Sequence, residues 1–158
     1  MRAAGVAAAT LAAAGCAPYG GPCGPETAVV ARVVDGDTVE LDTGGRVRYL
    51  LVDTPESTGG AHDCFGANAA ALNRELVLGK PVALTYDAEC TDRYDRLLAY
   101  VTVGGRDVNR LLLERGYACL LHIPPNGDER LADYTAAEAE ARAGRRGMWG
   151  ACPRVSCE

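Results

Sequence analysis

A chain of 158 residues, 48% hydrophobic and 23% charged, suits one domain with a core large enough to fold alone. Its formal net charge of −5 argues against a module that grips phosphate backbones by bulk positive charge. Any action on nucleic acid therefore needs local arginines or a metal to offset the repulsion. Residues 1–15 form a small, apolar run behind Met1-Arg2, too short to span a bilayer, and read as an export signal. Ala13-Ala14-Gly15-Cys16 has the small-residue shape of a lipoprotein cleavage site, at which Cys16 becomes the lipid-bearing first residue. An ordinary signal cut nearby is the alternative. Six cysteines remain besides Cys16: Cys23, Cys64, Cys90, Cys119, Cys152 and Cys157. None form a C-x-x-C pair and the two histidines are not spaced as zinc ligands, so disulfides in an oxidising compartment are the simplest reading.

Residues 16–27 are rich in Pro and Gly and read as a linker, and the domain is expected over 28–150, with a tail at 151–158. Strands are predicted at 28–34, 38–41 and 47–52, joined by tight turns at Asp35-Gly36 and Gly44-Gly45 into an antiparallel meander. Thr54-Pro55 ends the third. Helical spacing of apolar residues predicts a helix over 67–78, stopped by Gly79. Two more strands follow at 82–86 and 97–103, then helices at 108–115 and 131–142. That order predicts an α+β domain and fits a five-stranded barrel with three helices.

Two groups of residues suggest chemistry. Asp37 and Asp53 are both expected at strand ends, where with the Thr54 carbonyl they would make a hard-oxygen site suited to calcium. Taken singly, Asp37 reads better as a turn former and Asp53 as a strand cap, since Asp is a normal turn residue. Arg48, Glu56 and Arg96 are the second group. Phosphodiester cleavage needs a base for the attacking water and planar donors for the phosphoryl oxygens; Glu56 and the two arginines match those roles. One difficulty stands out: Arg48 and Asp53 are five residues apart, so a flat strand points them to opposite faces. Their convergence requires a twist, or Asp53 beyond the regular strand.

Val34-Asp35-Gly36-Asp37-Thr38-Val39, Arg48 through Glu56, and Thr91-Asp92-Arg93-Tyr94-Asp95-Arg96-Leu97-Leu98-Ala99-Tyr100 together resemble the staphylococcal nuclease (thermonuclease) family. Val108-Asn109, Arg115-Gly116-Tyr117-Ala118 and Trp149-Gly150 extend the likeness across 28–150. The resemblance implies a five-stranded OB-type β-barrel with three α-helices, and calcium-dependent hydrolysis of DNA and RNA to 3′-phosphate and 5′-hydroxyl ends. It implies that Asp37, Asp53 and the Thr54 carbonyl hold Ca2+, that Glu56 is the general base, and that Arg48 and Arg96 bind the phosphate. Arg93, Tyr94 and His122 fall at substrate-binding positions, with Arg93 replacing a lysine and His122 a tyrosine of the best-known member. Loop 57–64 looks shorter than in that member and lacks a lysine, and Asp95 stands where glycine is usual. On that fold, Cys64 is placed with Cys90, Cys119 with Cys152 and Cys23 with Cys157. A monomer acting on nucleic acid is expected, exported and in one reading held to a membrane by lipid on Cys16. A non-catalytic binding module of the same fold is the alternative, but such modules typically lose the five site charges that this chain keeps.

Overall fold

The computed structural model describes residues 23–58 and 63–155; residues 1–15, read from the sequence as an export signal, lie outside them, as do Cys16 and Cys157. Strands β1 (Thr27–Val33), β2 (Thr38–Leu41) and β3 (Arg46–Tyr49) form the expected antiparallel meander. Gly44 and Gly45 both take positive φ in its second turn, which L-side chains resist. The predicted third strand is not continuous. It breaks after Tyr49, where Leu51 has φ 63°, and resumes as β4 (Leu51–Asp53). A left-handed leucine costs about 1–2 kcal/mol, comparable to what burying its side chain returns. Leu51 is buried, and β4 pairs antiparallel with a short strand not foreseen from the sequence.

Helix α1 (Gly66–Val77) follows, then β5 (Pro81–Thr85) and β6 (Leu97–Val103). A two-residue strand β7 (Arg106–Asp107) leads into α2 (Val108–Glu114), whose N-terminus Asp107 caps by accepting from Arg110 N. The partner of β4 is β8 (Cys119–Leu121). The chain then forms α3 (Leu131–Ala143) and the one-turn α4 (Met148–Ala151). β1, β2, β3, β5 and β6 close into a five-stranded mixed barrel in the order β3-β2-β1-β5-β6. A parallel β3–β6 pairing shuts it, with Arg48 opposite Leu98. This is the expected α+β barrel of OB type. Val30, Val39, Val47 and Tyr49 fill the core, and α2 packs on β6 and α3 through Leu112 and Leu113.

Asn109 on α2 secures the break. It is fully buried; its Oδ1 accepts Val101 N (3.0 Å) and its Nδ2 donates to Leu50 O (3.0 Å) and Ala99 O (3.2 Å). One side chain thus bonds backbone groups on both sides of the break, and Leu50 N also donates to Ala99 O (3.0 Å). Two disulfides are seen, and they correct the expected pairing. Cys23 bonds Cys90, because residues 23–26 run back along β5, with Leu84 N donating to Glu26 O and Tyr86 Oη to Pro25 O (both 2.8 Å). Cys64 bonds Cys152, because the turn into α1 meets the end of α4, with a Cα–Cα distance of 5.9 Å. Cys119 is disulfide-bonded as well.

Asn109→Ala is expected to lower unfolding stability by about 3 kcal/mol in a denaturant titration, since three buried backbone groups lose a partner. Replacing Cys64 and Cys152 with Ala is expected to cost about 2–4 kcal/mol by the same measurement, from the long loop they close.

Candidate active site

The turn between β1 and β2 delivers Asp37, and the end of β4 delivers Asp53 and Thr54. Asp37 is buried; its Oδ2 accepts from Thr54 N (2.8 Å) and Thr54 Oγ1 (3.0 Å), and its Oδ1 from Thr38 Oγ1 (3.1 Å). Gly36 makes that approach possible. Its turn needs no positive φ, but a Cβ there would stand 2.6 Å from Thr54 Oγ1 and 2.7 Å from Thr54 Cβ. The glycine read from the sequence as a turn signal is therefore required for close packing of the two segments.

Arg48 sits between the carboxylates. Nη2 donates to Asp53 Oδ1 at 2.8 Å and Nη1 lies 3.3 Å from Asp37 Oδ2. Nη1 also donates to the carbonyls of Tyr49 (3.0 Å) and Val52 (2.6 Å). The break at Leu51 resolves the parity difficulty: two short strands replace one flat strand, and a spacing of five converges on one face.

Asp35, read from the sequence only as a turn residue, belongs to this cluster. Its Oδ1 accepts Asp37 N at 3.1 Å, and Asn73 of α1 fixes the turn by donating to the Asp35 carbonyl (3.0 Å) while accepting from Tyr49 Oη (2.9 Å). Burial and the neighbouring Asp37 charge push the Asp35 carboxyl up to about 6. The Asp-x-Asp spacing across a tight turn was the available signal, since it sets two carboxyls side by side.

Glu56 lies two residues beyond Thr54 and is exposed. Its peptide is held from both sides: Glu56 N donates to Asp63 Oδ2 (3.2 Å) and Asp63 N to Glu56 O (3.0 Å). Gly66 at the start of α1 packs so tightly that a Cβ would stand 2.3 Å from Glu56 O. The carboxylate is left facing solvent on a fixed backbone.

The turn before β6 carries the second arginine. Asp92 organises it: Oδ2 accepts Arg96 Nε and pairs with Nη2 (both 2.7 Å), while Oδ1 accepts Tyr94 N (2.9 Å) and Arg96 N (3.1 Å). Burial raises the Asp92 carboxyl, but Arg96 and the two backbone N–H groups outweigh it and hold the group below its ordinary value. Asp95 takes φ 59°, the left-handed geometry expected of a residue standing for glycine. Tyr94 is 63% exposed, with the guanidinium carbons of Arg93 and Arg96 at 4.7 and 5.4 Å from its ring centre. Arg96 stands directly before β6, two residues from Leu98, the register partner of Arg48.

His122 stands apart. It follows β8 at the Leu51 end of β4, about 10 Å along the strands from the Asp53 end, and its Nε2 lies 2.9 Å from Asp128 Oδ1. The structure therefore joins Asp37, Arg48, Asp53 and Thr54 in one bonded cluster and sets Glu56 beside it. Arg93, Tyr94 and Arg96 share a separate turn on the adjacent strand.

The carboxylates and the Thr54 carbonyl are hard oxygens; Asp37 and Asp53 share a single guanidinium, and the Asp35 carboxyl lies beside Asp37. That surplus of carboxylate suits a hard divalent cation. Among the described residues no three His, Cys, Asp or Glu side chains form a ready-made metal cage. Two carboxylates and a carbonyl fit an open site, whose remaining positions are left to water and substrate.

Comparison with known proteins agrees with this geometry. Residues 46–151 match the family described as staphylococcal nuclease homologue. Endonuclease YncB of Bacillus subtilis (strain 168) is 36% identical over 125 residues, covering 75% of this chain and 59% of that protein. The SPbeta prophage-derived endonuclease YokF of the same organism is 36% identical over 125 residues, 75% of this chain and 42% of that protein. The thermonuclease of Staphylococcus intermedius is 35% identical over 129 residues, 78% of this chain and 76% of that protein. The chain thus spans about two fifths to three fifths of the Bacillus endonucleases and about three quarters of the thermonuclease. Fold, site geometry and these similarities agree that the chain belongs to the staphylococcal nuclease family.

Proposed function

We propose that the protein is a calcium-dependent nuclease that hydrolyses phosphodiester bonds of DNA and RNA to 3′-phosphate and 5′-hydroxyl ends. The observation that carries the reading is the convergence of Asp37, Asp53 and Thr54 on Arg48, with an exposed, backbone-anchored carboxylate at Glu56. The names of the relatives, two endonucleases and a thermonuclease, support it.

Asp37, Asp53 and the Thr54 carbonyl would hold the calcium, which when bound polarises a phosphoryl oxygen and neutralises developing charge. Glu56 accepts a proton from the attacking water as the water oxygen forms its bond to phosphorus. Arg96, its fork aligned by Asp92, donates to the phosphoryl oxygens where charge builds up, and Arg48 supplies the remaining donors from the carboxylate side. The bond from phosphorus to the 5′ oxygen breaks, that oxygen takes a proton, and the phosphate stays on the 3′ oxygen. Tyr94 and Arg93, exposed beside Arg96, are the substrate contacts of this reading, with His122 further along the rim. Export belongs to the same proposal: every described cysteine is disulfide-bonded, which suits an oxidising compartment, and Cys16 is the proposed lipid site.

Purified protein is expected to cut denatured DNA and RNA with calcium and to stop when calcium is chelated. Glu56→Gln is expected to cut about 10²–10⁴-fold more slowly with its folding unchanged. Nucleic acid bound but never cut at any calcium concentration would replace the enzyme with a binding module.

A further inference from the structure

The acidic total hides a basic end. Residues 141–155 hold four arginines and no acidic residue, so that stretch carries +4 and the rest of the chain totals −9 within the overall −5. Folding adds a fifth arginine. Met148 N donates to Gly116 O (2.9 Å) and Arg146 Nη1 to Glu114 O (3.0 Å), which brings Arg115 against 145–148. Arg115, Arg142, Arg145, Arg146 and Arg154 are all exposed. Elsewhere on the surface Arg32, Arg46, Arg110 and Arg130 each face a carboxylate. Arg142 likewise pairs with Glu138 (3.1 Å), whereas Arg115, Arg145 and Arg154 form no ion pair among the described residues. Three exposed like charges without such partners repel one another, and a polyanion relieves that repulsion.

This surface is tied to the turn that carries Glu56. The Cys64–Cys152 bond joins the residue two before Arg154 to the turn that carries Asp63. Asp63 grips the Glu56 peptide through both its N–H and its carboxylate. Phe65, next in that turn, stacks edge-on against Tyr117 with ring centres 4.8 Å apart, two residues from Arg115. Residues 57–64 contain neither lysine nor arginine. The Cys64–Cys152 bond and the Phe65–Tyr117 contact therefore link the Glu56 turn to the two segments that carry these arginines.

We propose that the arginine surface at the end of α3 and around α4 is a second contact site for the nucleic-acid backbone, holding the strand that extends from the scissile phosphate past Glu56. This rests on the nuclease reading above. Exposed guanidinium groups give contacts that are indifferent to sequence and sensitive to salt, and they depend on substrate long enough to reach them.

The test is a triple variant, Arg115→Gln, Arg145→Gln and Arg154→Gln, compared with the unaltered protein at matched thermal melting. Substrates are single-stranded DNA of about 4 and about 16 nucleotides, the span that one OB-type barrel covers. For the longer strand, KM is expected to rise about tenfold and its log–log salt dependence to become shallower by about 2. On the shorter strand kcat and KM should be unchanged. Equal KM and salt dependence on the longer strand would overturn the proposal, as would weaker binding to phosphatidylglycerol vesicles with unchanged KM, which would assign the surface to a membrane. If the unaltered protein cuts nothing, the nuclease reading fails separately and binding still decides the matter. Trp149, the sole tryptophan, lies 4.1 Å beneath the Arg142 guanidinium and reports occupancy by fluorescence. A response to the longer strand that is lost in the triple variant supports the surface, and an equal response in both proteins refutes it.

Discussion

The guanidinium of Arg48 holds the site together. It bonds two carboxylates and two carbonyls at once, from segments on either side of a broken strand. Removing a partner from such a half-buried cluster leaves an uncompensated charge, which costs more than an exposed pair returns. The geometry of Asp37, Asp53 and Thr54 is therefore set by one cation inside the protein, in an arrangement that also suits a second cation supplied from solution. The left-handed turn at Leu51 brings Arg48 and Asp53 to the same side, and it persists because neighbours compensate it. Asn109 takes up the carbonyl of Leu50, and β8 pairs with β4 beyond the break.

The remainder of the fold positions this centre at a distance. Asn73 reaches from α1 to hold the Asp35 turn and the hydroxyl of Tyr49 together. Gly36 and Gly66 act through the absence of a side chain: one admits Thr54 to Asp37, the other lets α1 seat against the Glu56 carbonyl. Asp92 does for Arg96 what the carboxylate pair does for Arg48, aligning a planar donor before any substrate arrives. The disulfides lie at the margins of these segments. Cys90 is two residues from Asp92, and Cys64 adjoins Asp63.

Much of this was legible in the sequence, for identifiable reasons. The three longer helices follow apolar spacing and end at glycines. The meander follows its turn dipeptides, and the ordered motifs point to the family. The break at Leu51 was not legible, because leucine carries no turn signal and the left-handed backbone there is imposed by tertiary pairing. Without the break, the spacing of Arg48 and Asp53 argued against their convergence. Asp35 was hidden by its own plausibility as a turn residue. The disulfide pairing could not be read because it depends on where residues 23–26 and α4 pack, and linear spacing carries no record of that. Strands β7 and β8 are too short for alternation to show. The basic surface was visible as composition, but only folding adds Arg115 to it and joins it to the Glu56 turn.

Calorimetric titration of the purified protein with calcium tests the central claim most directly. One site is expected, with a dissociation constant of about 10⁻⁴–10⁻³ M, as for an open site with few charged ligands. Binding should be lost in both Asp37→Asn and Asp53→Asn. Undiminished binding in either variant, or none in the unaltered protein, would contradict the assignment of this carboxylate cluster as the metal centre.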